Sequence, residues 1–460
     1  MDEALQVYVN RKKKGTTREE LEKFTKEELI TRIISLETHN QQLKNIIKKE
    51  TFNLGEASHN DKHRKFDFST WNSRHVLLKF YYLGWDYQGF TTQEDSASTI
   101  EHHLFAALIK TCLIKSRETS NYHRCGRTDK GVSAFSQVIS IDLRSKFEND
   151  DQMTAESIQN EIQYCEMLNR VLPKDIRCIA WQPLYDRGFS ARFDCRERTY
   201  RYFFPRSNLN IEAMKKGCEY LVGAHDFRNL CKMDVGNGVI TFDRELKVVQ
   251  IVQTKQIHCN NDSCNEASPY DMFYVQLTGK AFLWHQVRAI MAILLLIGQQ
   301  NEKPEVIQEL LDVERNPCTP QYSLASDIPL NLFNVEMDEC SKTSVSTVAN
   351  QTENIDWIYD KRNLNRVISV LQQQWCKITV KSQMVLEMLR ALEDVYENKL
   401  GGERIRQHYE ALQEGFRPKK YQPLMSRTKC NSLENRIEHF AKKRRIELRS
   451  NGQNAIEPID

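Results

Sequence analysis

Residues Arg124–Arg144 read RCGRTDKGVSAFSQVISIDLR. One carboxylate, Asp129, stands between Arg127–Thr128 and Lys130, with glycines at 126 and 131. Downstream, Val138, Ser140 and Asp142 alternate with Ile139, Ile141 and Leu143, the period of a strand. The stretch therefore reads as a cationic turn opening onto a strand. An Asp in a turn is ordinarily satisfied by nearby backbone N–H groups. Three features point further. Glycine permits a sharp bend and leaves room for a ligand. Arg127 and Lys130 suit a phosphate backbone. Loops at strand ends often carry reactive groups. No second carboxylate lies at helical or strand spacing, so hydrolysis by paired carboxylates is not indicated, and a lone aspartate acting as nucleophile or base is the simpler chemistry.

Working outward, HVLLKFYYLG from His75 reads as a buried strand and WDYQGFTTQEDSAST as turn-rich. Ser98 with Glu101 predicts the start of a helix carrying Ile100, Leu104, Leu108 and Cys112 on one face. A helix is expected over Ala155 to Val171, ended by Pro173, and a strand in DIRCIAWQPL. A second series begins near Gly188: strand ERTYRYFFP, helix MKKGCEYLVG, strand FYVQLTGKAFLW and buried helix HQVRAIMAILLLIG. These repeated strand–helix–strand units predict an α+β fold of two lobes, residues 75–187 and 188–335, with antiparallel sheets flanked by helices.

The flanks differ in character. Residues 1–24 are polar and basic. Over 25–50, Leu29, Ile33, Leu36, Asn40, Leu43 and Ile47 trace a coiled-coil seam with a register-fixing amide at Asn40, or equally the apolar face of a helix packed on its own domain. Residues 51–74 and 336–356 read as polar linkers, 357–415 as a helical extension with Met384, Leu386, Met388, Leu389 and Leu392 on its apolar face, and 416–460 as a basic tail with a short helix near Leu433 to Phe440.

Composition sets limits. With 460 residues the chain is long enough for two or three domains. Net charge is only +3, so a nucleic-acid surface must be a local patch. The basic clusters Arg11–Lys14 and Lys442–Arg445 are solvated tails, or else signals for nuclear entry or points of loose RNA contact. The apolar run Ile290–Gly298 is too short to span a bilayer, and the N-terminus lacks the pattern of a secretory signal. Thirteen cysteines, an odd number without a CxxC pair, fit reduced thiols of the nucleus and cytoplasm rather than a disulfide scaffold or zinc ribbon. No GxxxxGK[ST], HExxH or GxSxG occurs, so NTP hydrolysis, zincin and α/β-hydrolase chemistry are unsupported.

Six blocks in series carry a resemblance: YYLGWDYQGFTTQ with TIEHHLFAAL, CGRTDKGVSA, LNRVLPKDIR, FSARFDCRERTYRY, GAHDFRNLCK and FLWHQVRAIM. In this order, between about His75 and Val335, they resemble the TruA family of tRNA pseudouridine synthases. The N-terminal seam and the blocks SARF–RERTYRYFFP and HDFRNLCKMD are similar to its eukaryotic branch, which modifies nucleotides 38 and 39 of the anticodon arm. The resemblance implies a uridine isomerase that needs no metal, NTP or redox cofactor and acts as a homodimer on tRNA. It implies Asp129 as the catalytic residue, Tyr200 as the aromatic that stacks on the target base, Arg288 as the partner of the catalytic carboxylate, Arg127 at the RNA backbone and Leu330 in the base pocket. His225 reads as structural, and His285 stays open between packing and site. A non-catalytic tRNA-binding or RNA-chaperone protein that keeps the fold is the main rival, and a coiled-coil assembly protein with a globular head is a third reading.

Overall fold

Buried strands with both faces covered lose the polar–apolar alternation of a half-exposed strand. β1 (Asn72–Tyr82) and β3 (Ser133–Ser145) are of this kind, with Val76, Leu77, Val138, Ile139, Ile141 and Leu143 all fully buried. They pair antiparallel, and Asp142 Oδ1 on β3 lies 2.5 Å from His75 Nδ1 on β1. The computed structural model describes Thr25 and residues 66–93, 96–152, 154–239, 241–254, 268–338, 357–403, 408–415 and 420–444. The chain divides into two units, Met1–Asp67 and Phe68–Asp460, and the features below belong to the second. The predicted seam over 25–50 lies outside the described residues, apart from Thr25.

Among the described residues, nine strands form one sheet in the order β4-β1-β3-β9-β5-β8-β7-β6, with β2 (His123–Arg124) added on β3. The others are β4 (Ile176–Pro183), β5 (Cys195–Pro205), β6 (Gly223–Asp226), β7 (Asp243–Gln253), β8 (Met272–Gly279) and β9 (Leu330–Met337). Two separate antiparallel sheets were expected. Instead the halves fuse, because β9, the last strand, enters between β3 and β5. It runs antiparallel to β5 but parallel to β3, through Ser133–Asn331 and Ala134–Leu332. Phe135 N–H donates to Asn331 Oδ1 at 3.1 Å, and the Phe135 and Phe333 rings stack across the same junction.

The helices are α1 (Ile100–Lys110), α2 (Ala155–Asn160), α3 (Tyr164–Asn169), α4 (Ile211–Tyr220), α5 (Gln286–Gly298), α6 (Val306–Leu311), α7 (Lys361–Asp394) and α8 (Leu433–Arg444). The cap of α1 is Thr99, whose Oγ accepts from His102 N–H, rather than Ser98; Cys112 falls past its end at φ +51°. The single helix expected over 155–171 is two short ones. Glu161 breaks it, because its carboxylate is claimed by Ser145 Oγ, Lys146 N–H and the buried Arg74. α5 is buried on nearly every residue, as its sequence demands. The polar run before His75 ends early, since β1 already starts at Asn72.

The C-terminal residues depart from a loose tail. Leu424 and Leu433 are buried in the main core, Cys430 N–H donates to Thr319 O, and Glu302 holds Leu424 N–H and the Tyr421 hydroxyl. α7 is tied down near its start, where Val367 is buried beside β4 and Asn363 meets Asn169, and near its end, where Tyr270 donates to Glu393. Between these anchors Ile368, Leu371, Trp375, Ile378, Val385, Leu389 and Leu392 are exposed.

Candidate active site

The turn that carries Asp129 is built from both halves. Its entry is fixed by α1, since the fully buried Glu101 carboxylate accepts from Arg124 Nη1 at 2.8 Å, from Arg117 and from the Tyr122 hydroxyl. Burial pushes this carboxyl up, but the Thr92 N–H, Tyr122 and the two arginines outweigh it and hold it below its ordinary value. Arg198 on β5 donates to Cys125 O and to Lys280 O, which staples the turn to the second half. Gln137 donates to Gly126 O at 3.1 Å, the Tyr82 hydroxyl meets Thr128 Oγ1 at 2.6 Å, and Phe90 N–H donates to Thr128 O. Gly131 turns the chain back at φ +77°, and a Cβ there would lie 2.7 Å from Asp327 Oδ1. Gly126 has neither constraint, its nearest neighbour being Arg198 at an ordinary 3.5 Å.

Held in this way, Asp129 faces a cavity of about 770 Å³ between the halves, within the roughly 300–1,000 Å³ usual for small-molecule sites. Its carboxylate is one-third exposed. Trp284 Nε1–H donates to Oδ1 at 3.2 Å, and His285 Nε2 stands 3.5 Å from Oδ2. His285 caps α5 in the left-handed region, at φ +60°, a strained conformation for a non-glycine residue. Burial lowers its pKa, with Asp129 opposing and Arg288 and Lys232 reinforcing the shift, so the neutral imidazole is favoured. Lys232 lies over the Trp284 ring at 4.2 Å.

All five residues singled out in the sequence line this cavity: Asp129, Tyr200, Arg288, Arg127 and Leu330. Tyr200 is 8% exposed, its ring edge-on to Phe282 at 4.9 Å, and burial pushes its phenol up. Leu330 opens β9 opposite Tyr202. Arg127 is exposed and makes no salt bridge among the described residues. Arg288 corrects an expectation. Its guanidinium is not paired with Asp129; Nε donates to Ala325 O at 2.8 Å and Nη2 to Glu414 Oε2 at 2.7 Å. Ala325 O and Glu414 lie close enough to claim those donors. Sequence reasoning missed Trp284, Asp327 and Glu414. The first sits inside the quoted block FLWHQVRAIM; the other two reach the cavity from distant segments with no local pattern. His225 keeps its structural reading, with Nε2 bonded to Val222 O. Among the described residues, no cluster of His, Cys, Asp and Glu is arranged to hold a metal, and no helix is long and apolar enough to cross a membrane.

A family profile described as tRNA pseudouridine synthase matches residues 218–338, the part that supplies α5, β8 and β9. Longer relatives extend the likeness to the Asp129 turn. The tRNA pseudouridine(38/39) synthase of Mus musculus is 44% identical over 447 residues, covering 92% of this chain and 89% of its own. That of Homo sapiens is 45% identical over 445 residues, with 92% and 89% covered. That of Saccharomyces cerevisiae is 39% identical over 331 residues, covering 69% and 71%. Likeness of this extent embraces both halves that wall the cavity, and the chain belongs to the TruA family of tRNA pseudouridine synthases.

Proposed function

We propose that this protein isomerises uridine to pseudouridine at nucleotides 38 and 39 of the tRNA anticodon arm, with Asp129 as the catalytic residue. The observation that carries this reading is the Asp129 carboxylate, presented by a turn pinned from both halves, in one cavity with Tyr200 and Arg288. The names of the mouse, human and yeast relatives support the choice of positions.

The chemistry fits those side chains. The C1′–N1 bond of uridine breaks, the uracil turns, and a C1′–C5 bond forms. C5 loses its proton and N1 gains one, so nothing is added or removed. The Asp129 carboxylate assists by attack at C1′ or C6, or by taking the C2′ proton; each route splits one hard exchange into easier steps. The detached base must be retained while it turns. Tyr200 offers it a ring face, and Leu330 and Phe282 an apolar wall. The target nucleotide must leave its stack to enter. Arg127, exposed at the rim, meets the backbone phosphate of the flipped nucleotide.

The protein acts as a homodimer in this proposal. Support comes from α7, where Ile368, Leu371, Trp375, Ile378, Val385, Leu389 and Leu392 recur at spacings of three and four around Ser382, a self-complementary seam suited to a second copy. Residence in nucleus and cytoplasm belongs to the same proposal and rests on the basic clusters and on the odd number of cysteines without a CxxC pair.

The test is single-turnover conversion of an unmodified tRNA transcript with uridines at 38 and 39, read by pseudouridine mapping. Wild type is expected to convert both, and Asp129→Ala to bind the transcript within about threefold of wild type while forming no product. Product from Asp129→Ala would remove the catalytic assignment. Tight binding by wild type without product would favour an RNA-binding protein that merely keeps the fold.

A further inference from the structure

Arg288 is the most deeply placed cation of the cavity; its side chain is only 7% exposed. Two acceptors fix its guanidinium, Ala325 O on Nε and Glu414 Oε2 on Nη2. They belong to one ribbon. Residues 324–326 and 412–414 run side by side, bridged at Ala325 and Gln413, with Ser326 N–H donating to Leu412 O at 2.7 Å and Glu414 N–H to Leu324 O at 3.3 Å. Gly415 follows at φ +85°, where a Cβ would come within 2.6 Å of Ser323 Oγ. Ala325 N–H in turn donates to the backbone oxygen of Arg288, closing the loop between α5 and the ribbon. Glu414 lies well past residues 218–338, so a segment outside the matched family region reaches the cavity.

We infer that Glu414 is a positioning residue for Arg288: the C-terminal segment supplies the carboxylate that sets the guanidinium plane and aims its remaining N–H donors into the cavity. A planar fork held at two nitrogens has one orientation, and a lone carbonyl on Nε would leave it free to pivot. The carboxylate also supplies the negative charge that a buried guanidinium requires. Glu414 itself is half exposed and its backbone is held by the bridge, so truncating the side chain removes the acceptor without opening the core.

The inference rests on the reaction proposed above, and the two fail differently: if wild type makes no pseudouridine the reaction is wrong, whereas Glu414 is judged only against an active wild type. Full-length Glu414→Ala and Glu414→Gln are compared by single-turnover rate at saturating enzyme and by the Kd for the same transcript. Misplacing a positioning group by about 1 Å can cost on the order of 10²-fold in rate. Glu414→Ala, which leaves the Ala325 contact in place, is expected to lose about tenfold in rate with little change in Kd. Glu414→Gln, whose amide oxygen still accepts from Nη2, is expected to recover most of it. In an Arg288→Ala background, Glu414→Ala is expected to cause no further loss. Tighter tRNA binding by both variants would overturn the inference, since the carboxylate would then be a competitor of RNA phosphate. So would an unchanged rate in Glu414→Ala, or additive losses in the double variant.

Discussion

Gly131→Ala puts a methyl group where the structure leaves no place for one. Two costs arise from different sources. At φ +77° an L-residue sits in the left-handed region, which costs about 1–2 kcal/mol. The new Cβ would also lie 2.7 Å from Asp327 Oδ1 and 2.8 Å from its Cγ, so the Asp327 carboxylate must move or the turn must shift. Since Val132 N–H donates to Asp129 O and Gly131 N–H to Tyr87 O, a shift at 131 is passed directly to the turn that carries Asp129, the proposed catalytic residue. Equilibrium unfolding in urea should show a loss of about 2 kcal/mol, the left-handed penalty plus part of the clash. Displacing a reacting group by about 1 Å costs on the order of 10²-fold, so the single-turnover rate should drop by about 10–100-fold. Adding Asp327→Ala removes the clash but not the backbone strain. The double variant should therefore regain part of the stability and rate, never all of it. A Gly131→Ala protein within about 0.5 kcal/mol and threefold of wild type would refute the claim that this turn is held rigidly.

Other substitutions probe separate parts of the site. Glu101→Ala removes the fully buried carboxylate that holds Arg124 and Arg117; it should cost about 3 kcal/mol, measured by urea unfolding. Because the folded pKa of Glu101 is depressed, its contribution is full above the ordinary value of 4.5 and is lost as pH falls through the lower folded value. Wild type should therefore lose more stability than Glu101→Ala in a pH series carried below 4.5. His285 is also depressed, so its neutral form adds stability above the ordinary 6.5 that fades as pH falls from there. His285→Gln should flatten that part of the wild-type stability profile between pH 7 and 5, with Asp129, Asp327, Lys232 and Arg288 setting the local field. Tyr200→Phe keeps the ring edge-on to Phe282 and should retain most of the single-turnover rate, while Tyr200→Leu should lose at least tenfold; equal losses would point to the hydroxyl instead.

Legibility in the sequence followed how local each signal was. β1, β4, β5, α4 and α5 were readable because each carries its own apolar pattern and has a partner close in the chain or an entirely buried face. The Asp129 turn was readable from its composition. The break at Glu161 was not, since it comes from Ser145, Lys146 and Arg74, a tertiary override of helix propensity. The fused sheet was hidden for a related reason: Phe135 and Asn331 are 196 positions apart, and the parallel join spans too few residues to leave a periodic trace. The partner of Arg288 was misread because Glu414 lies 126 residues away, at the far end of the expected helical extension, with no local pattern that ties it to the cavity. His285 was left open since its strained backbone, not its neighbours in sequence, turns it toward Asp129.

The join at Ser133–Ala134 with Asn331–Leu332 also dictates an order of events during synthesis. Everything from β1 to β4 can pair as it emerges, and β2 covers part of β3 at once, yet the start of β3 at Ser133–Ala134 stays uncovered until nearly two hundred further residues have been made. Open strand edges invite pairing with neighbouring chains, and contacts this distant close slowly. The ribosome-bound chain therefore passes through a stage in which its first half is formed but unsealed. A variant that weakens β9 should reveal itself as aggregated nascent product before it shows any defect in the finished enzyme.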